Sequence, residues 1–72
     1  MSRDKVLIFG QDLCPYTTGA REEFSRRKIP FEYLNVLEDD QALARMVKLA
    51  NGRRQVPVIV EAGKVSVGFG GS

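Results

Sequence analysis

Residues 5–24 read KVLIFGQDLCPYTTGAREEF, and two structural elements can be predicted from them. Its first part, residues 5–10, is a nearly continuous apolar run that ends in glycine, which is typical of a strand buried on both faces of a sheet. After the Cys14-Pro15 step, every fourth residue is apolar while charged residues occupy the other side. These apolar positions are Tyr16, Ala20 and Phe24. The stretch predicts a central strand followed by an amphipathic helix that begins at Pro15.

A second strand and a second helix follow. Pro30 ends the first helix, and residues 31–36 read FEYLNV, a strand-like set in which Phe31 and Tyr33 are interpreted as packing residues. The aspartate pair at 39–40 can cap the next helix, and the Asn-Gly pair at 51–52 supplies a left-handed stop. The apolar face of this helix comprises Leu43, Met46, Val47 and Ala50.

The last third of the chain predicts a hairpin. Residues 56–60 read VPVIV. Together with residues 64–67 they flank a turn at residues 61–63, as the two strands of a hairpin would. The predicted order is therefore β-α-β-α-β-β in one domain, residues 1–72. A strand-helix-strand unit normally forms a parallel right-handed crossover, so we expect an α/β fold with a four-stranded mixed sheet. The chain ends where a further helix would cover the sheet, so a C-terminal helix is expected to be absent or truncated.

Composition narrows the class of protein. The 72 residues carry a net charge of +2 with dispersed basic residues, which argues against nucleic-acid binding. No apolar run approaches the roughly 20 residues that a membrane span needs. One cysteine and no histidine exclude a disulfide scaffold and disfavour a metal site. We expect a cytoplasmic monomer with no bound metal.

The single thiol, Cys14, can be interpreted in two ways. A lone cysteine usually behaves as a small inert hydrophobe. Pro15, however, is favoured in the first turn of a helix, so it places Cys14 where free backbone N–H groups and the positive end of the helix dipole face the sulfur. Such a site stabilises the nucleophilic thiolate. Asp12 would oppose this effect if its carboxylate pointed at the sulfur, and the sequence leaves its direction open.

Two segments together resemble the glutaredoxin family. CPYT follows the KVLIFG strand, and GRRQVPVIV, residues 52–60, begins the third strand about forty residues later. The resemblance covers essentially the whole chain and implies a thioredoxin-like fold in which Cys14 attacks glutathionylated proteins or other disulfides, with glutathione as co-substrate. It also implies a cis Val56-Pro57 bond, although only about 5–6% of X-Pro bonds are cis.

The resemblance also implies roles for further residues. Val56 would offer its backbone to the peptide part of a substrate, and Arg53 or Arg54 could hold a glutathione carboxylate. The substrate-binding positions carried over from the family are Gln11, Pro15, Tyr16, Thr17, Arg53, Arg54, Val56, Pro57, Gly68 and Ser72.

Three positions depart from the family pattern. Thr17 stands where dithiol members have a second cysteine, so only a monothiol cycle is possible. Gln11 replaces a lysine that many members carry, and Ser72 stands near the place of an acidic residue. The ending is closer to redoxins that donate electrons to ribonucleotide reductase. The family also has members with selenocysteine at the nucleophile, and a Cys14 without a partner cysteine would suit a cysteine counterpart of those.

Three alternatives to a glutathione-dependent enzyme therefore stay open. The first is a redoxin-type electron donor that a reductase reduces. The second is an iron-sulfur carrier, in which two chains and two glutathione molecules ligate a [2Fe-2S] cluster through Cys14. The third is a docking module with an inert thiol.

Overall fold

Two helices and four strands follow one another along residues 5–70, the part of the chain that this computed structural model describes. The predicted β-α-β-α-β-β order is confirmed. The elements are β1 (Val6–Gly10), α1 (Pro15–Arg26), β2 (Phe31–Asn35), α2 (Asp40–Leu49), β3 (Val58–Glu61) and β4 (Lys64–Val67).

The four strands form one mixed sheet in the order β2-β1-β3-β4. The central position predicted for β1 is confirmed: β1 pairs in parallel with β2, Gly10 lying opposite Asn35, and antiparallel with β3, Phe9 lying opposite Val58. β4 returns antiparallel to β3, with Val67 opposite Val58. The C-terminal ends of β1, β2 and β4 and the N-terminal end of β3 therefore share one edge of the sheet.

Each face of the sheet carries one helix, because successive side chains of β1 point to opposite faces. Ile8 is fully buried on the α1 face and Phe9 is fully buried on the α2 face. The buried residues on the α1 side are Val6, Ile8, Ala20, Phe24 and Ile59. Those on the α2 side are Phe9, Val36, Ala42, Met46, Ala50 and Val58. This two-layered core is the thioredoxin-like arrangement expected from the sequence.

The helix faces differ in detail from the predicted ones. Tyr16 was assigned to the buried face of α1, yet it is 43% exposed, and Thr17 is buried in its place. The reason is that α1 begins at the rim of the sheet, so only the side of its first turn that faces β1 is covered. On α2 the most buried residue is Met46, whereas Leu43 and Val47 are only partly buried against the core.

The segment boundaries follow local backbone chemistry. Asp39 caps α2 as predicted, since its carboxylate accepts hydrogen bonds from two backbone N–H groups. The left-handed stop is also confirmed, with φ values of 58° at Asn51 and 91° at Gly52. β3 begins at Val58, two residues later than predicted and directly after Pro57, which has no N–H to donate to a neighbouring strand. No helix among residues 5–70 is long and apolar enough to cross a membrane.

Candidate active site

Cys14 occupies the N-cap position of α1. Its backbone is extended, with φ −83° and ψ 117°, and Pro15 follows at the first helical position. The Cys14 N–H donates to the carbonyl oxygen of Gln11 at 3.2 Å, which closes a turn, and the Cys14 carbonyl accepts the N–H of Thr18 at 3.0 Å. The side chain is half-buried. The thiol therefore lies at the threshold of the helix, as the sequence predicted.

The groups that set the pKa of the Cys14 thiol belong to the first turn of α1. Burial raises the pKa of the Cys14 thiol, but hydrogen bonds from the Thr17 hydroxyl and from the backbone N–H groups of Thr17 and Tyr16 outweigh it and hold the pKa below its ordinary value. These bonds favour the anion because a thiolate accepts hydrogen bonds more strongly than a thiol. The geometry thus supports a nucleophilic sulfur and disfavours an inert one.

Thr17 is held in place by the end of β1. Its side chain is fully buried, and its Oγ1 accepts a hydrogen bond from the backbone N–H of Gln11 at 3.4 Å. A Cβ atom on Gly10 would lie 2.5 Å from the same oxygen, closer than unbonded atoms approach each other. Glycine at the end of β1 therefore makes room for the hydroxyl that lowers the pKa of Cys14.

The direction of the Asp12 carboxylate is set by a hydrogen bond across the site. The hydroxyl of Tyr33 on β2 donates to Oδ1 of Asp12 at 2.7 Å. This bond turns the carboxylate toward β2, which resolves the question that the sequence left open.

The cis Val56-Pro57 bond implied by the resemblance is present. Pro57 is buried, and its carbonyl oxygen accepts a hydrogen bond from the N–H of Gly68 at 2.7 Å. Because Val58 lies opposite Phe9, the Val56-Pro57 segment and the turn before Cys14 lie at the same edge of the sheet. The hydrogen bond from Gly68, which follows β4, supports the segment that contains Pro57.

The remaining residues predicted for the site lie farther along the surface. Arg53 lines a depression together with residues of the α2 end and β4, and Arg54 lines another beside α2. Both arginines are exposed. Gln11, Tyr16 and Thr17 thus lie around Cys14, whereas Arg53 and Arg54 each line a separate depression of the surface. Ser72 lies outside the described residues.

Sequence reasoning missed two residues that shape the site. Tyr33 was interpreted as a packing residue, and its polar contact joins residues 21 positions apart, which no local pattern reveals. Gly10 was treated only as a strand terminator. A glycine that closes an otherwise apolar buried strand is, however, a signal of close approach by a neighbouring group.

Comparisons with known proteins agree with this geometry. A sequence model of the glutaredoxin family matches residues 6–66. No match was found among curated proteins.

Three solved structures share the fold. A glutaredoxin from Archaeoglobus fulgidus aligns with a TM-score of 0.81 at 22% identity, covering 92% of this chain and 76% of its own. A thioredoxin-like protein aligns with a TM-score of 0.82 at 25% identity, covering 90% of this chain and 88% of its own. A buckwheat glutaredoxin in complex with glutathione aligns with a TM-score of 0.73 at 20% identity, covering 88% of this chain and 59% of its own.

The family match extends over both halves of the candidate site, since it includes Cys14 at the start of α1 and the cis Val56-Pro57 segment before β3. The chain belongs to the glutaredoxin family.

Proposed function

We propose that this protein is a glutathione-dependent monothiol oxidoreductase that reduces glutathionylated or small disulfide substrates through Cys14. Membership of the glutaredoxin family supports a thiol oxidoreductase activity. The observation that carries the finer proposal is the position of Cys14 at the N-cap of α1, where groups of the first helical turn hold the pKa of its thiol below the ordinary value.

The first step is attack of the Cys14 thiolate on the glutathione sulfur of a mixed disulfide. A new bond forms between the Cys14 sulfur and the glutathione sulfur while the substrate disulfide breaks. The substrate thiolate leaves with the electron pair of the broken bond and takes a proton from water. Substrate is thereby reduced, and the oxidising equivalent stays on the protein as a glutathionyl mixed disulfide.

The second step needs a thiol from outside the chain. Position 17 holds threonine, and the sequence contains one cysteine, so no internal disulfide can form. A second glutathione thiolate attacks the glutathionyl sulfur and releases glutathione disulfide. Cys14 leaves as the thiolate. The same hydrogen bonds that favour this anion make Cys14 a good leaving group, because a thiol of lower pKa leaves faster.

Charge and backbone chemistry support glutathione as the co-substrate in this proposal. One of the structural neighbours, the buckwheat glutaredoxin, was solved as a glutathione complex. In this chain the backbone of Val56, at the edge shared with the Cys14 turn, would pair with the peptide like an added strand. Arg53 or Arg54 would attract its carboxylates, and the net charge of +2 favours the anionic tripeptide.

The test is a deglutathionylation assay with a glutathionylated peptide, glutathione and glutathione reductase as the recycling system. We expect turnover by the wild-type protein and none by Cys14→Ser. A parallel assay replaces glutathione by a thioredoxin-type reductase with its own reductant. Turnover only with the thioredoxin-type reductase contradicts the proposal and indicates a redoxin-type electron donor. Turnover in neither assay also contradicts the proposal.

A further inference from the structure

Tyr33 on β2 contacts both helix α1 and the turn that precedes Cys14. It lies on β2 in register with Ile8 of β1. Its hydroxyl donates to Oδ1 of Asp12 at 2.7 Å, and the guanidinium carbon of Arg21 on α1 lies 4.1 Å from the centre of its ring. The tyrosine thus ties the turn before the nucleophile to both the sheet and the helix.

The tied residue lies at the tip of that turn. Asp12 and Leu13 are the two central residues between Gln11 and Cys14, whose backbone groups close the turn at 3.2 Å. Leu13 is 96% exposed, so the tip projects into solvent. Two residues of chain span at most about 7 Å. An untied Asp12 carboxylate could therefore swing close to the sulfur of Cys14, and a like charge at that range disfavours the thiolate.

We propose that Tyr33 is a positioning residue, whose hydroxyl holds the Asp12 carboxylate away from Cys14 so that the thiolate forms beside the helix N-terminus without an opposing charge. The inference deepens the proposed function and rests on it, because the proposed reaction is what uses the thiolate. Tyr33 itself touches no reacting atom and acts through Asp12.

The phenol of Tyr33 is suited to this role because it stays protonated. Burial, the hydrogen bond to Asp12 and the charge of Asp12 raise the pKa of Tyr33 to about 12. The charges that face it from neighbouring elements are Arg21 on α1, which lowers this pKa, and Glu38 after β2, which raises it. The hydroxyl therefore remains a donor throughout the range in which a cysteine thiol titrates.

The experiment is a double-mutant cycle read by alkylation of Cys14 with iodoacetamide as a function of pH. The four proteins are wild type, Tyr33→Phe, Asp12→Asn and the double variant. In the presence of Asp12 we expect Tyr33→Phe to raise the pKa of the thiol and to slow alkylation at neutral pH by about threefold. In the Asp12→Asn background, where the side chain carries no charge, the same substitution should leave the rate unchanged. Such non-additivity is the signature of coupling between the two residues.

Glu32→Gln is the matched control for Asp12→Asn, because it removes one exposed carboxylate from β2 without touching the pair. It should not change the effect of Tyr33→Phe. Circular dichroism checks that each variant folds. An equal effect of Tyr33→Phe in the wild-type and Asp12→Asn backgrounds, or no slowing in either, overturns the proposal. Alkylation reports the thiolate and not turnover, so a protein that fails the deglutathionylation assay can still pass or fail this test.

Discussion

Gly10 and Thr17 fit together so closely that a Cβ atom at Gly10 would displace the Thr17 side chain. Gly10 is the last residue of β1, and the fully buried Thr17 side chain fills the space that a Cβ atom on Gly10 would need. The same side chain lowers the pKa of the Cys14 thiol and accepts the Gln11 N–H. The end of the central strand is thereby linked through one hydroxyl to the nucleophile.

Gly10→Ala should therefore damage both stability and reactivity. The added methyl group would lie 2.5 Å from Thr17 Oγ1, and a short β-branched side chain with no room around it cannot move aside freely. We expect the free energy of unfolding to fall by about 1–3 kcal/mol, the usual cost of overpacking. Alkylation of Cys14 should also slow, because the displaced hydroxyl no longer favours the thiolate. Urea unfolding and iodoacetamide kinetics measure the two effects.

Gly19→Ala is the control for this substitution. Gly19 lies inside α1, and a Cβ atom there would be 3.7 Å from the Phe69 ring, an ordinary contact distance. Alanine in a helix interior should stabilise the protein by about 0.5–1 kcal/mol. If the two alanine variants show the same stability, the tight fit between Gly10 and Thr17 is not a constraint on the fold.

Thr17→Val isolates the hydroxyl from the shape of the side chain. Valine keeps the volume but can neither donate to the thiolate nor accept from Gln11, whose backbone N–H would lose its partner. We expect a higher thiol pKa, slower alkylation at neutral pH, and a loss of stability of about 0.5–1.5 kcal/mol from the lost hydrogen bond.

Thr17→Ser supplies the comparison, since it keeps the hydroxyl and removes a methyl group. It should alkylate nearly as fast as the wild type, and its stability loss should come from the small cavity alone. Valine and serine variants with equal thiol reactivity would show that the hydroxyl plays no part in activating Cys14.

How far the sequence predicts this site depends on how local each determinant is. Cys14 at the start of α1 follows from the Cys-Pro step, and the Asn51-Gly52 helix end follows from the residues that tolerate left-handed backbone. These are neighbour effects along the chain. Pro57 is different: general X-Pro statistics disfavour the cis bond, and only the resemblance of the surrounding segment to a family predicted it.

Contacts between distant segments are the part that pattern reasoning could not supply. The bond between Tyr33 and Asp12 depends on the parallel pairing of β2 with β1, which brings residues from two segments to one edge of the sheet. The burial of Thr17 instead of Tyr16 likewise depends on how α1 begins at that edge. Helical periodicity describes which residues share a face, but it does not say where the covering sheet ends.

Asp39→Ala tests a helix start that lies away from the nucleophile. Oδ1 of Asp39 accepts the N–H groups of Gln41 and Ala42 at 3.0 and 3.2 Å, and alanine would leave both without this partner. We expect the protein to lose about 1 kcal/mol of stability in urea unfolding. Asp39→Asn should retain most of the stability because asparagine caps helices about as well. The alkylation rate of Cys14 should be the same in both variants, and a change in that rate would mean that α2 also influences the site.

The lowered pKa of Cys14 predicts a specific dependence of stability on pH. Burial raises the pKa of the folded thiol, but hydrogen bonds from Thr17 and Tyr16 outweigh it and hold that pKa below the value of the unfolded chain, which is about 8.5. As pH rises between these two values, the folded protein has already lost the proton while the unfolded chain still binds it, so the free energy of unfolding rises. The stabilisation is complete above the unfolded pKa and is lost as pH falls through the folded pKa.

Urea unfolding of wild type and Cys14→Ser, kept reduced and compared from about pH 6 to about pH 9.5, isolates this contribution because all other titrating groups are common to both. The stability difference, wild type minus serine variant, should increase with pH and level off near the upper end of the range. A difference that is flat would mean that the fold does not favour the thiolate. A difference that decreases with pH would mean that the folded site stabilises the protonated thiol, and the activation of Cys14 by the start of α1 would then be wrong.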